Sequence, residues 1–135
     1  MEKEVAHNLR PIRTYDINLI PTYLFEQVER DWSIDKVYAL ANFINTSPTN
    51  MLWAFINDAH EIKGVLWCTI NLLNESVFIK VLSIDKEYRG KKVYSPMAHK
   101  ILNDAGFNKI QWITDRTEGF ERLGYKKSKY VLMEV

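Results

Sequence analysis

The sequence predicts a mixed α/β (α+β) fold built on one mostly antiparallel sheet. Three observations predict it. Between residues 51 and 84, three apolar runs follow one another across short polar connections, as antiparallel neighbours do. Upstream, between Tyr23 and Asn45, the apolar residues change to helical spacing. Downstream of residue 94, helical and strand-like runs alternate. The 135 residues suit one domain, 1–135, with a single core, and 47% hydrophobic with 26% charged residues is an ordinary globular balance.

Each element has a local reason. "EVAHNLRPIR" (4–13) mixes polar and apolar positions and predicts an edge strand ending near Pro11. Leu24, Val28, Val37, Leu40, Ala41 and Ile44 fall near helical spacing, with a break around "DWSID", so two helices are expected. Ser33 or Asp31 is placed to cap the second. "MLWAFIND" (51–58) and "GVLWCTINLL" (64–73) read as a hairpin joined through "AHEIK", and "SVFIKVLSI" (76–84) follows the turn signal "NES". A helix over 94–105 stops at Gly106, a good C-cap residue. "KIQWITD" (109–115) reads as a strand, "EGFERLG" (118–124) as a short helix, and "YKKSKYVLMEV" (125–135) as a last strand whose "KKSK" forms a solvated edge.

Composition narrows the function. A net charge of +1 gives no electrostatic case for nucleic acid or an anionic membrane. The N-terminus "MEKEVAHNLR" has no apolar signal core, and no run approaches the roughly 20 apolar residues of a membrane span. The expected location is cytoplasmic, so the glycosylation triplets at Asn45 and Asn74 are chance matches. The one cysteine, Cys68, sits in "GVLWCTI" and reads as a small buried hydrophobe. His7, His60 and His99 follow no metal-ligand spacing, so no metal site is expected. Trp53, Trp67 and Trp112 lie in strand-like runs and should be core, whereas Trp32 could line a cleft or pack locally.

The segment "SIDKEYRGKKVYSPMAHKIL" (83–102) carries the chemistry. An apolar strand enters a basic loop with Arg89, Gly90, Lys91 and Lys92, and a helix starts with Pro96 tolerated in its first turn. Unpartnered amides at a helix start, aided by its dipole, make an anion site. A charged turn before a surface helix is the plainer reading of the same residues.

"VFIKVLSIDKEYRGKKVYSPMAHKIL", followed by "FERLGYKKS", resembles the GNAT superfamily of acetyl-CoA-dependent N-acetyltransferases. Leu82, Ile84, Glu87, Tyr88, Arg89 and Gly90 match the family's "L-x-V-x-P-x-Y-R-G-x-G-x-G" run without a gap. Phe120, Glu121, Leu123, Gly124 and Tyr125 match its "Y-E-x-L-G-F". The resemblance implies the acyl-CoA N-acyltransferase fold, with about six to seven strands and about four helices. It implies that backbone of Leu82, Ser83 and Ile84 pairs with the pantetheine arm of acetyl-CoA. Backbone amides of Arg89, Gly90, Lys91, Lys92, Val93, Tyr94 and Ser95 would cradle the pyrophosphate. The acetyl group would pass directly to an amine, on a small molecule or a protein, with help from a base and an acid.

The sequence departs from the pattern twice. Lys92 and Tyr94 stand where the family has glycine or another small residue, and Phe120 stands where it often has a proton-donating tyrosine. Asp115 and Glu118 could act as base or as helix-start charges, and Tyr125 occupies a normally apolar position that favours packing. No catalytic residue is assigned. The readings that follow are an acetyltransferase, a binding or structural protein on the same fold (a phage virion component being one form), and a cofactor sensor without transfer.

Overall fold

The computed structural model describes residues 9–28, 33–72, 75–89, 94–113, 117–129 and 133–135. Among the described residues five strands form one sheet in chain order: β1 (Arg10–Thr14), β2 (Asn50–Ile56), β3 (Ile62–Asn71), β4 (Ser76–Ile84) and β5 (Ile110–Gln111). The first four are antiparallel, and β5 joins β4 in parallel. Among the described residues five α-helices flank the sheet: α1 (Thr22–Glu26), α2 (Ile34–Ala39), α3 (Ala41–Thr46), α4 (Tyr94–Asp104) and α5 (Thr117–Arg122). The mixed α+β class is as expected, and among the described residues the strands are fewer than expected.

Two cores separate by strand parity, because alternate side chains point to opposite faces. Met51, Trp53, Phe55, Leu66 and Cys68 meet Ala98 and Leu102 of α4 on one face. Leu52, Ala54, Val65 and Trp67 meet Leu24, Phe25, Val37 and Ala41 of α1–α3 on the other. Trp53 and Trp67 are thus core, and Trp112 is partly buried just past the end of β5. Trp32 lies outside the described residues.

Cys68 is fully buried, and burial pushes its thiol pKa up to about 12. Thiol reagents at pH 8 should label it only through opening of the fold, and at once in denaturant. Rapid native labelling would contradict that burial.

Strand β4 changes phase in its middle. Trp67 pairs with Val81 and Cys68 with Ile79, so Lys80 is one residue extra, a β-bulge. Val77 and Ile79 face α4 before the bulge, and Leu82 and Ile84 face it after. Val81 instead joins the α1–α3 core.

Local signals explain most of the boundaries. The Ser33 side chain accepts from Lys36 N at 3.3 Å, capping α2 as expected. Asn57 Oδ1 accepts from Ala59 N and Glu61 N, which closes the β2–β3 turn with His60 at φ 63°. Gly106 at φ 103° ends α4, a conformation glycine adopts without strain.

Three expectations are corrected. β1 runs through Pro11 to Thr14, because an edge strand can spare the missing N–H. Among the described residues of 109–115, only Ile110–Gln111 are strand; Trp112 packs against His99 of α4. No strand forms among the described residues of 125–135, where residues 126–129 are exposed and include three lysines with no apolar face to bury. "KKSK" is solvated, but it is not a strand edge.

Candidate cofactor slot

The parallel pair β4–β5 is short. Val77 stands opposite Ile110 and Phe78 opposite Gln111, with Val77 N donating to Lys109 O at 3.0 Å. Beyond Phe78, β4 continues to Ile84 while β5 has ended, so the two strands part. The edge of β4 over residues 79–84 therefore faces an opening among the described residues. An unpaired strand edge presents backbone donors and acceptors in register, suited to an extended ligand with amide groups.

Leu82, Ser83 and Ile84 form the end of β4 at that opening. Asp85 caps a 3₁₀ turn, Lys86–Tyr88, by accepting from Glu87 N at 3.1 Å, and Tyr88 is buried against the α4 side of the sheet. Arg89 follows; its Nε donates to Ile84 O at 3.3 Å. Gly90, Lys91, Lys92 and Val93 lie outside the described residues. Tyr94 and Ser95 are the first two residues of α4, and Pro96 sits in its first turn, where a missing N–H costs no helical bond. The strand, turn and helix that the resemblance implied are thus present around the basic segment.

The entry to the opening is electrostatically braced. Tyr23 Oη of α1 donates to Asp85 Oδ2 at 2.7 Å, and Lys63 Nζ lies 3.6 Å from Glu87 Oε1. The Tyr23 bond is the leading cause that lowers the Asp85 pKa, and burial followed by the same bond raises that of the phenol. A depressed carboxyl contributes stability that is fully present above its unfolded value of about 3.9 and lost as pH falls through the lower folded value. Tyr23→Phe should therefore lower the urea midpoint at pH 7, and its deficit should shrink at pH well below 4. A deficit equal at both pH values would show that Asp85 is not the partner that matters.

Beyond the slot, an aromatic cluster closes the fold. His99 and Trp112 rings lie 5.6 Å apart, Trp112 and Tyr125 5.1 Å, and Trp112 and Phe120 5.4 Å. Tyr125 Oη is 3.3 Å from His99 Nδ1, and burial lowers the histidine pKa. Tyr125 thus serves packing as expected, and Phe120 offers only an apolar ring. Glu118 lies in the first turn of α5, 3.6 Å from Arg122, which suits a helix-start charge; Asp115 lies outside the described residues. No group of three or more metal-ligating side chains occurs among the described residues. On the α1–α3 face, a small open cavity of about 170 Å³ is lined by Thr14, Asn45, Ser47, Asn50 and Trp67 among others. Asn50 Oδ1 accepts from Trp67 Nε1 at 3.2 Å, and Lys80 Nζ lies 5.2 Å from the centre of the Trp67 ring.

No family model and no curated protein matches the sequence. Solved structures do match. A GNAT family acetyltransferase from Staphylococcus aureus superposes with a TM-score of 0.66 at 11% identity, covering 95% of this chain and 98% of that one. A predicted acetyltransferase from Clostridium acetobutylicum, determined with acetyl-CoA, gives 0.65 at 17% identity over 95% of each chain. Aminoglycoside 6'-N-acetyltransferase AAC(6')-Ih from Acinetobacter baumannii gives 0.68 at 10%, covering 94% and 97%. This chain has the GNAT fold.

Sequence reasoning missed two site features. The bulge at Lys80 was hidden because "VFIKVLSI" is apolar on both faces; the lone charge in that run was its signal. The bonds from Tyr23 and Gln27 of the α1 segment to the end of β4 span 62 and 56 residues, and no local pattern encodes them. No helix among the described residues is long and apolar enough to cross a membrane.

Proposed function

We propose that the protein is an acetyl-CoA-dependent N-acetyltransferase that moves an acetyl group directly to an amine. The observation that carries this reading is the opening between β4 and β5, which ends at a basic turn and a helix start. Backbone of Leu82, Ser83 and Ile84 pairs with the pantetheine amides, as a missing strand would. Amides from Arg89 through Gly90, Lys91, Lys92, Val93 and Tyr94 to Ser95 hold the pyrophosphate, with lysine charge in place of the family's small residues. The acceptor amine, on a small molecule or a protein, enters from the α1–α3 side, where the cavity beside Trp67 and Asn50 opens.

A specific observation favours a second reading. Phe120 has no proton to give, and the Tyr125 hydroxyl faces His99, so cofactor binding without transfer fits the same fold. That protein would sense acetyl-CoA or serve as a binding or structural component, in a phage particle for example.

Calorimetric titration with acetyl-CoA, with desulfo-CoA as control, tests both. Micromolar binding supports the slot, and acetyl transfer to an amine panel then separates enzyme from sensor. No heat at millimolar acetyl-CoA would sink cofactor use altogether.

A further inference from the structure

Arg89 is held from two directions at the entry of the slot. Its Nε donates to the Ile84 carbonyl at the end of β4, and its Nη2 donates to Gln27 Oε1. Gln27 Nε2 in turn donates to Ser83 Oγ at 3.1 Å. Ser83 is only 7% exposed, so this last bond is shielded from competing water. Gln27 is the C-cap of α1, and Tyr23, four residues earlier on the same helix face, donates to Asp85. Two side chains of the α1 segment thus grip both ends of the turn 85–89, while Leu24 and Phe25 anchor α1 in the core.

We propose that Gln27 is a positioning residue for cofactor binding, acting through Arg89. The inference rests on the proposed use of acetyl-CoA. One amide group joins three elements here: its oxygen orients a guanidinium, and its nitrogen is fixed by a buried hydroxyl. A free arginine would lose several rotamers on engaging a ligand, and the glutamine removes that loss beforehand. The same chain of bonds makes α1, on the acceptor side, respond to what occupies the slot. Gln27→Glu keeps an oxygen for Arg89, and the Ser83 hydroxyl can turn to donate to it. Gln27→Ala breaks both bonds.

Hydrogen exchange and calorimetry on the whole chain test this. Without ligand, Gln27→Ala should speed amide exchange across 85–89, and Gln27→Glu should leave it near wild type. With acetyl-CoA, Gln27→Ala should bind about tenfold more weakly, as expected for losing a bond to a charged group. Gln27→Glu should bind close to wild type. Ligand should slow exchange over Thr22–Glu26 in the wild type and Gln27→Glu, but not in Gln27→Ala. Unchanged exchange at 85–89 in ligand-free Gln27→Ala would overturn the latch itself. Faster exchange with unchanged affinity would overturn its role in cofactor binding. If the wild type binds no acetyl-CoA, the proposed function fails and that role fails with it, while the ligand-free exchange still decides whether the latch exists.

Discussion

Gly64→Val should destabilise the protein by about 3 kcal/mol, the upper end for overpacking a filled site, and should also abolish the acetyl-CoA binding proposed above. Gly64 stands opposite Phe55 on β2 and Ile84 on β4. A Cβ there would lie 2.3 Å from Ile84 Cδ1, 2.9 Å from Phe55 Cδ2 and 3.1 Å from the Ser83 carbonyl oxygen. The isoleucine and the ring can turn aside at a cost in rotamer strain. The carbonyl belongs to the backbone and can yield only if the end of β4 moves. That end is the wall of the slot, so stability and ligand binding should fail together. Urea denaturation and calorimetry measure the two; an unchanged midpoint with unchanged affinity would show that this crowding is not real.

Phe55→Ala should cost about 3–5 kcal/mol in urea denaturation, the range for truncating a buried aromatic ring. The ring is fully buried in the α4-side core. It is also the cover over Gly64, so the two sites are coupled. Removing the ring gives an added side chain at 64 somewhere to go, though the Ser83 carbonyl stays close. The double variant should therefore lose less than the two single losses combined, by more than about 0.5 kcal/mol. Strict additivity would mean that the ring and the glycine do not share their space.

How much of this was legible depends on where the information lies. β4 was readable to its ends, because an apolar run between a turn signal and a charged loop leaves little choice. α4 was readable for the same kind of reason, with Pro96 near its start and Gly106 after its end. Among the described residues, the late strands are shorter than expected. "KIQWITD" and "YKKSKYVLMEV" contain the right residue types, yet Trp112 and Tyr125 spend their rings on His99 rather than on a sheet. Residue type says that a side chain wants burial, and only tertiary contact says against what. The candidate slot divides similarly. The end of β4 and the start of α4 could be read from the strand–loop–helix pattern, whereas the grip of Tyr23 and Gln27 on the turn could not, since partners so distant in sequence leave no periodic trace.

The extra residue at Lys80 works as a reading-frame change for the strand. Deleting it would let β4 pair with β3 without interruption and would keep both layers, because Ile79, Val81, Leu82, Ser83 and Ile84 would then alternate between the faces as they do now. Straightening the strand with Lys80 kept in the ladder would instead send Leu82 and Ile84 to the α1–α3 layer and turn Val81 and Ser83 toward α4. The latch from Gln27 would then lose its hydroxyl, and Gly64 would no longer lie beneath an isoleucine. The chain thus carries one residue more than its two layers need, and the bulge is where that surplus is taken out of the frame.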